Sequence, residues 1–388
     1  MAAAATVPLA GLTVIARASS AAAGYAARLL ATLGADVTLA EPPDGSALRR
    51  QPPFLPDGGR AGEGQSALFA YLAAGMDSRI VDLTADDGRA ALHGLLSEAD
   101  VFIDDTALAD RAASGIDAET LAARHPQLIH VSVLPFGACG PKAHWPGEDI
   151  TIQHAGGEGY LLPNGLAVEM FPDRAPLKIH GHFGEYQGGL AAALGALSAL
   201  WVRDEVGGQF VDIASQDANL AVGAFAIQRL DDGSVEHRVE RSFRYGGVIP
   251  CADGYVELLT LEQRQWDGLV KLLGEPDWAL DPALSDSLER SRRGPDINRH
   301  IRAWAIERNV DDIVAAGQKL SVPLARYNTP AEILTGAQER HRGLFQPANV
   351  GGDALAMLVS PFHFDGSPLA LRAGPPALGA AARVEAQA

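Results

Sequence analysis

Glu185 stands in the run Gly184-Glu185-Tyr186-Gln187-Gly188-Gly189, at the threshold of a long Gly/Ala/Leu-rich stretch. A carboxylate flanked by glycines at a helix start sits where backbone N–H groups and the helix dipole hold negative charge. A ligand can also come close there. The chemistry open to it is attack on an activated carbonyl or proton transfer. The same spacing describes an ordinary helix-start acid, and the pattern alone leaves both readings open. Glu148-Asp149, ahead of Ile150, poses the same choice. His180-Gly181-His182 would turn two imidazoles to one side of a strand. No third ligand stands at a diagnostic spacing, so a structural or surface pair is the better reading and no metal is expected. Cys139 lies in a Gly-rich loop with no neighbouring cation to activate it, and reads as a small apolar residue.

Several familiar chemistries are excluded. Glu41 ends a strand where a ribose hydroxyl could be met, but the preceding turn, Arg17 to Gly24, has no G-x-G-x-x-G. Without those glycines the backbone cannot approach a pyrophosphate in the usual way, and NAD or FAD is not expected. Neither a G-x-S-x-G elbow nor a P-loop is present. The net charge of −17 argues against nucleic acid as a partner, while leaving room for a phosphorylated ligand held by a few cations. Two cysteines rule out a disulfide framework and fit a reducing compartment. The Ala-rich start has no cation before Arg17, and the apolar run Gly188 to Val202 is about one turn short of a membrane span. A cytoplasmic protein with no membrane partner is expected.

The elements that must position these residues follow from hydrophobic period and turn chemistry. The chain of 388 residues suits two domains or one large one. Leu12 to Ala16 predicts a strand, Ala21 to Leu33 a helix stopped by Gly34, and Ala35 to Leu39 a second strand ending at Glu41. Arg79 to Leu83, Val101 to Ile103 and Leu128 to Val133 continue the strands, with helices over Asp86 to Leu96 and Asp117 to Arg124. This alternation predicts an α/β protein with a parallel sheet covered on both faces. Pro42 to Gly64 and Pro135 to Gly147 read as long Gly/Pro-rich loops. A helix from Gly189 to Val202, a strand at Phe210 to Ile213 and a helix from Ala218 come next. After a basic linker from Val235, a smaller module carries a strand at Tyr255 to Thr260 and three helices, near 265–273, 297–307 and 310–320.

Taken in order, these segments resemble the class III CoA-transferases, the CaiB/BaiF family. The likeness is carried by Pro8 to Ile15, Leu29 to Val37 with Glu41-Pro42-Pro43, and Leu83 to Asp100 with Gly88-Arg89. It continues through Pro126 to Gly137 with Gly140-Pro141, Gly207 to Ile213, Asp253 to Val256, Val322-Pro323 and Arg342 to Phe345. The resemblance implies a Rossmann-like large domain from both chain ends, here 1–234 and 331–388, with a small α+β domain inserted at 235–330. It also implies two subunits threaded as an interlocked homodimer and an active site at the domain junction. CoA or acyl-CoA would be the substrate, with no tightly bound cofactor. The family's nucleophilic Asp falls on Glu185, one methylene longer, in what reads as a variant branch. The expected route runs through a mixed anhydride and a glutamyl-CoA thioester. The family's mobile glycine loop matches only Gly246-Gly247. Its Asn-Arg-Gly-Lys stretch is replaced by Ala73 to Asp77, so Arg17, Arg79 and Lys142, with Gly137, become the candidates for binding CoA. Glu148, His154, Tyr160, Tyr186 and Gln187 are pocket candidates. Two alternatives stay open: an acyl-CoA racemase or isomerase using Glu148 and Glu185, and a non-catalytic subunit of a heteromeric transferase.

Overall fold

A computed structural model describes residues 7–56, 65–157, 159, 162, 173–175, 177–223 and 245–380. Two compact units are present, one of residues 1–158, 178–224 and 334–388, the other of residues 159–177 and 225–333. In the larger unit, β1 (Thr13–Arg17), α1 (Ala21–Thr32), β2 (Asp36–Glu41), α2 (Ala67–Leu72) and β3 (Asp77–Ile80) open the chain. They are followed by α3 (Asp86–Leu96), β4 (Val101–Asp104), α4 (Leu108–Ser114), α5 (Ala118–Arg124) and β5 (Ile129–Leu134). The unit continues with α6 (Asp149–Ala155), α7 (Phe183–Val206), β6 (Phe210–Ala214) and α8 (Ser215–Val222). The six strands form one parallel sheet in the order β3-β2-β1-β4-β5-β6.

Alternate residues of β1 serve opposite faces of this sheet. Val14 and Ala16 join one core with Leu30, Phe69, Val131 and Ala196. Ile15 joins another with Leu92, Phe102 and Ile116. Strands covered on both faces must be apolar along their whole length, which is why they read as short unbroken hydrophobic runs. The strand expected at Arg79 to Leu83 lies at Asp77–Ile80, and Arg79 is exposed on it.

The helix expected from Gly189 starts earlier, at Phe183, so Glu185 lies inside its first turn. The reason is packing. A Cβ on Gly189 would stand 2.5 Å from the carbonyl oxygen of Ala22, and one on Gly188 would stand 2.2 Å from Ser215 Oγ. Together with buried Ala192, Ala193, Ala196 and Ala199, these glycines let α7 lie against α1 and α8 at backbone range. Tertiary contact of this kind outweighs the low helix propensity of glycine.

Glu41 is only 2% exposed and fully engaged. Its carboxylate takes two hydrogen bonds from Arg49, at 2.7 Å each, one from Ser78 Oγ at 2.6 Å and one from Ser46 N at 2.9 Å. Arg49 reaches on to the carbonyl of Pro376, and Ser78 Oγ accepts from Gly379 N, so this cluster ties the C-terminal segment to the sheet. All four acceptor positions of the carboxylate are thus taken within the larger unit.

In the smaller unit, strands Gly247–Pro250, Tyr255–Leu258 and Leu324–Arg326 form an antiparallel sheet. Helices Gln263–Leu272, Gly294–Ala305 and Val310–Lys319 pack with it around Trp266, Ile297, Ile301 and Ile313. The basic linker at 235–244 lies outside the described residues.

Candidate active site

The strand order reverses between β1 and β4, one leading toward β2 and β3, the other toward β5 and β6. In open α/β sheets, ligands bind at such a switch point, outside the carboxyl ends of the strands. Here β1 ends at Arg17, and Ser19 and Ser20 lead into α1. Asp105, just past β4, accepts from the backbone N–H groups of Ser19 and Ser20 at 2.8 and 2.6 Å. Burial pushes the Asp105 carboxyl up against these hydrogen bonds. Ser20 Oγ caps α1 by accepting from Ala23 N at 3.3 Å. The next donor, Ala21 N–H, is offered to Oε1 of Glu185 at 3.2 Å.

Glu185 thus spends its carboxylate on another helix. His182, the residue flanking the start of α7, faces Oε2 through Nδ1 at 2.6 Å. An ionised carboxylate can only accept, so this nitrogen carries the proton. The hydrogen bond to Glu185 raises the imidazole pKa, burial opposes it, the charges of Glu185 and Asp149 add to the rise, and Lys178 opposes. The backbone of the turn is fixed from α6 and α8. Asp149 Oδ1 accepts from Glu185 N at 3.1 Å, while its Oδ2 takes Gln153 Nε2 at 2.6 Å and Lys178 Nζ at 2.8 Å. Asn219 Nδ2 donates to the Gly184 carbonyl at 2.9 Å. A side chain at 184 would meet Gln153 Cγ at 2.9 Å, so glycine is needed for this close approach. Tyr186 stacks at a tilt on Tyr25 with ring centroids 4.6 Å apart, and burial raises its phenol pKa.

Of the sequence-based candidates, Glu185 and Tyr186 come together here, while Gln187, half-buried, follows on the same turn. Glu148 does not join them. It is exposed and holds the start of its own helix in a capping box with Thr151, and the carboxylate that α6 brings to Glu185 is Asp149. His154 lies on the exposed side of α6, opposite buried Gln153. Gly137 adopts φ 79° where its backbone crosses Asp212, and Lys142 reaches Gln216 at 3.4 Å beside the rings of Phe136 and Trp145. Arg17 carries a buried Nη1 with no hydrogen-bond partner. Gly246 and Gly247 belong to the smaller unit, where Gly246 N donates to Asn298. Tyr160 lies outside the described residues. Sequence reasoning missed Asp149 in favour of its neighbour and set His182 aside as structural. Gln153, Lys178 and Asn219 carried no signal, since amides and a lone lysine have no diagnostic spacing. Among the described residues no cluster of His, Cys, Asp and Glu could hold a metal ion, and no helix is long and apolar enough to cross a membrane.

The family model described as CoA-transferase family III matches residues 9–382. The chain belongs to CoA-transferase family III. Membership places it among the CoA-transferring enzymes. It is 29% identical over 376 residues to a probable CoA-transferase of Mycobacterium tuberculosis, covering 91% of this chain but 44% of that protein. The chain thus spans less than half of that relative's length. It is 28% identical to the succinate–glutarate CoA-transferase of Agrobacterium fabrum, covering 96% of this chain and 93% of that one. The crystal structure of a CaiB/BaiF family protein from Brucella suis is similar at a TM-score of 0.82 and 29% identity, over 96% of each chain.

Proposed function

We propose that this family III member moves CoA from an acyl-CoA thioester to a free carboxylic acid, with Glu185 as nucleophile. The observation that carries the reading is the suspension of the Glu185 carboxylate at the switch point, held by Ala21 N–H and His182 rather than capping its own helix. One oxygen of Glu185 adds to the thioester carbonyl and CoA thiolate leaves, giving a mixed anhydride. The thiolate returns to the glutamyl carbon, expels the donor acid and forms a glutamyl-CoA thioester, which the acceptor acid then opens by the same two steps in reverse. Covalent catalysis divides one difficult acyl transfer into easier ones. Glu185 would then stand for the family's Asp, its extra methylene spanned by the two hydrogen bonds that hold it. Succinate and glutarate in the name of the Agrobacterium enzyme support a dicarboxylic donor or acceptor. Arg17 and Lys142 are the cations offered for the CoA phosphates. Cys139 and Cys251, both unpaired, fit a cytoplasmic setting.

Incubation with succinyl-CoA and no acceptor, followed by acid quench and peptide mass spectrometry, should find CoA or acyl label on Glu185. An unlabelled Glu185 beside active enzyme would sink the assignment.

We further propose a homodimer, interlocked as in the resemblance. Because α7 turns its small residues to α1, its opposite face exposes Leu190, Leu194 and Trp201, the last two by 64% and 89%. An apolar stripe this open on a soluble protein marks an association surface. Sedimentation at micromolar concentration should give twice the chain mass for the wild type and a shift toward one chain for Trp201→Asp; a monomeric wild type refutes it.

A further inference from the structure

The two carboxylate oxygens of Glu185 are held unequally. Oε1 takes a single 3.2 Å hydrogen bond from a backbone N–H, whereas Oε2 is clamped at 2.6 Å by a protonated imidazole nitrogen. Oε1 therefore keeps the freer lone pair and is the attacking atom, and Oε2 becomes the carbonyl oxygen of the anhydride. We propose that His182 is the oxyanion donor for the enzyme's own acyl group, stabilising Oε2 whenever the glutamyl carbon is attacked; this rests on the nucleophilic reading of Glu185.

The steps balance without a net proton transfer. CoA thiolate forms the S–Cδ bond, the π pair of Cδ=Oε2 moves onto Oε2, and the Nδ1–H···Oε2 hydrogen bond shortens as that charge builds. Collapse restores Cδ=Oε2 and breaks Cδ–Oε1, and the donor acid leaves as its carboxylate. When the acceptor carboxylate attacks the glutamyl thioester, the same oxygen takes the charge and CoA thiolate leaves. A donor placed in advance where charge develops needs no reorganisation during reaction, and loss of one such donor costs about 10²- to 10³-fold in kcat.

The groups facing His182 fix the sign of its pH dependence. Glu185 on its own helix and Asp149 on α6 favour the imidazolium, Lys178 opposes it, and the Tyr186 ring lies 6.3 Å away. The folded pKa is raised, so the charged donor persists below it and is lost as pH rises through it.

The test compares His182→Phe, which keeps a ring without the donor, and His182→Asn, whose amide nitrogen stands near the place of Nδ1. With succinyl-CoA, His182→Phe should lose about 10²-fold in kcat with KM nearly unchanged, and the CoA adduct on Glu185 should form equally slowly. His182→Asn should recover about tenfold and lose the falling alkaline limb of the wild-type kcat profile. A folded Phe variant within threefold of wild type overturns the proposal. Where the Phe variant does not fold, an alkaline limb that survives in His182→Asn overturns it instead. An active wild type that never labels Glu185 removes the nucleophile reading itself, a result distinct from labelling that proceeds at full rate without His182.

Discussion

Glu185→Gln should fold and transfer CoA at least about 10³-fold more slowly than the wild type, because an amide oxygen does not form the anhydride. The loss should fall on kcat, since the amide retains the shape of the carboxylate. Glu185→Asp is the more informative companion. Shortening the side chain by one C–C bond, about 1.5 Å, withdraws the carboxylate from both Ala21 N–H and His182. A displacement of that size costs about 10²-fold in a positioned reaction. Initial rates with succinyl-CoA and a second dicarboxylic acid measure both. Undiminished turnover in the Gln variant would take Glu185 out of the chemistry.

The largest effect on stability is expected at Glu41→Ala. The change removes an acceptor that serves Arg49 twice, Ser46 N and Ser78 Oγ, and leaves a largely buried guanidinium without its partner. Breaking a buried pair from one side costs about 3–5 kcal/mol. Equilibrium urea unfolding at neutral pH checks it, and a change below about 1 kcal/mol would refute it. The sign of the pH dependence follows from the carboxyl itself. Burial raises its pKa, but the hydrogen bonds from Arg49, Ser46 and Ser78 outweigh burial and hold it below the usual carboxylate value. The stabilisation is therefore present above the unfolded pKa and is lost as pH falls through the folded one. The gap between wild type and Glu41→Ala should narrow on acidification.

Hydrophobic period and turn residues were enough to read the alternating strands and helices of the larger unit, and helix α3 lies over the residues expected from its spacing. Those signals are local, each depending on neighbours within a few turns. The carboxylate among glycines ahead of a small-residue helix was legible for the same reason, whereas its reading as a nucleophile rested on the family resemblance. What the chain could not show was which groups would meet it. Ala21 and Glu185 are 164 residues apart, and Asp149 and Glu185 are 36 apart. Glu148 is the extended residue that caps α6 and pairs with Thr151, so Asp149, the first helical residue, is the one that faces α7, and composition does not say which of the two takes which place. The choice of Asp149, the proton on His182 and the early start of α7 were decided by α1, α6 and α8 packing on α7, a contact that exists only once the sheet has brought the distant segments together.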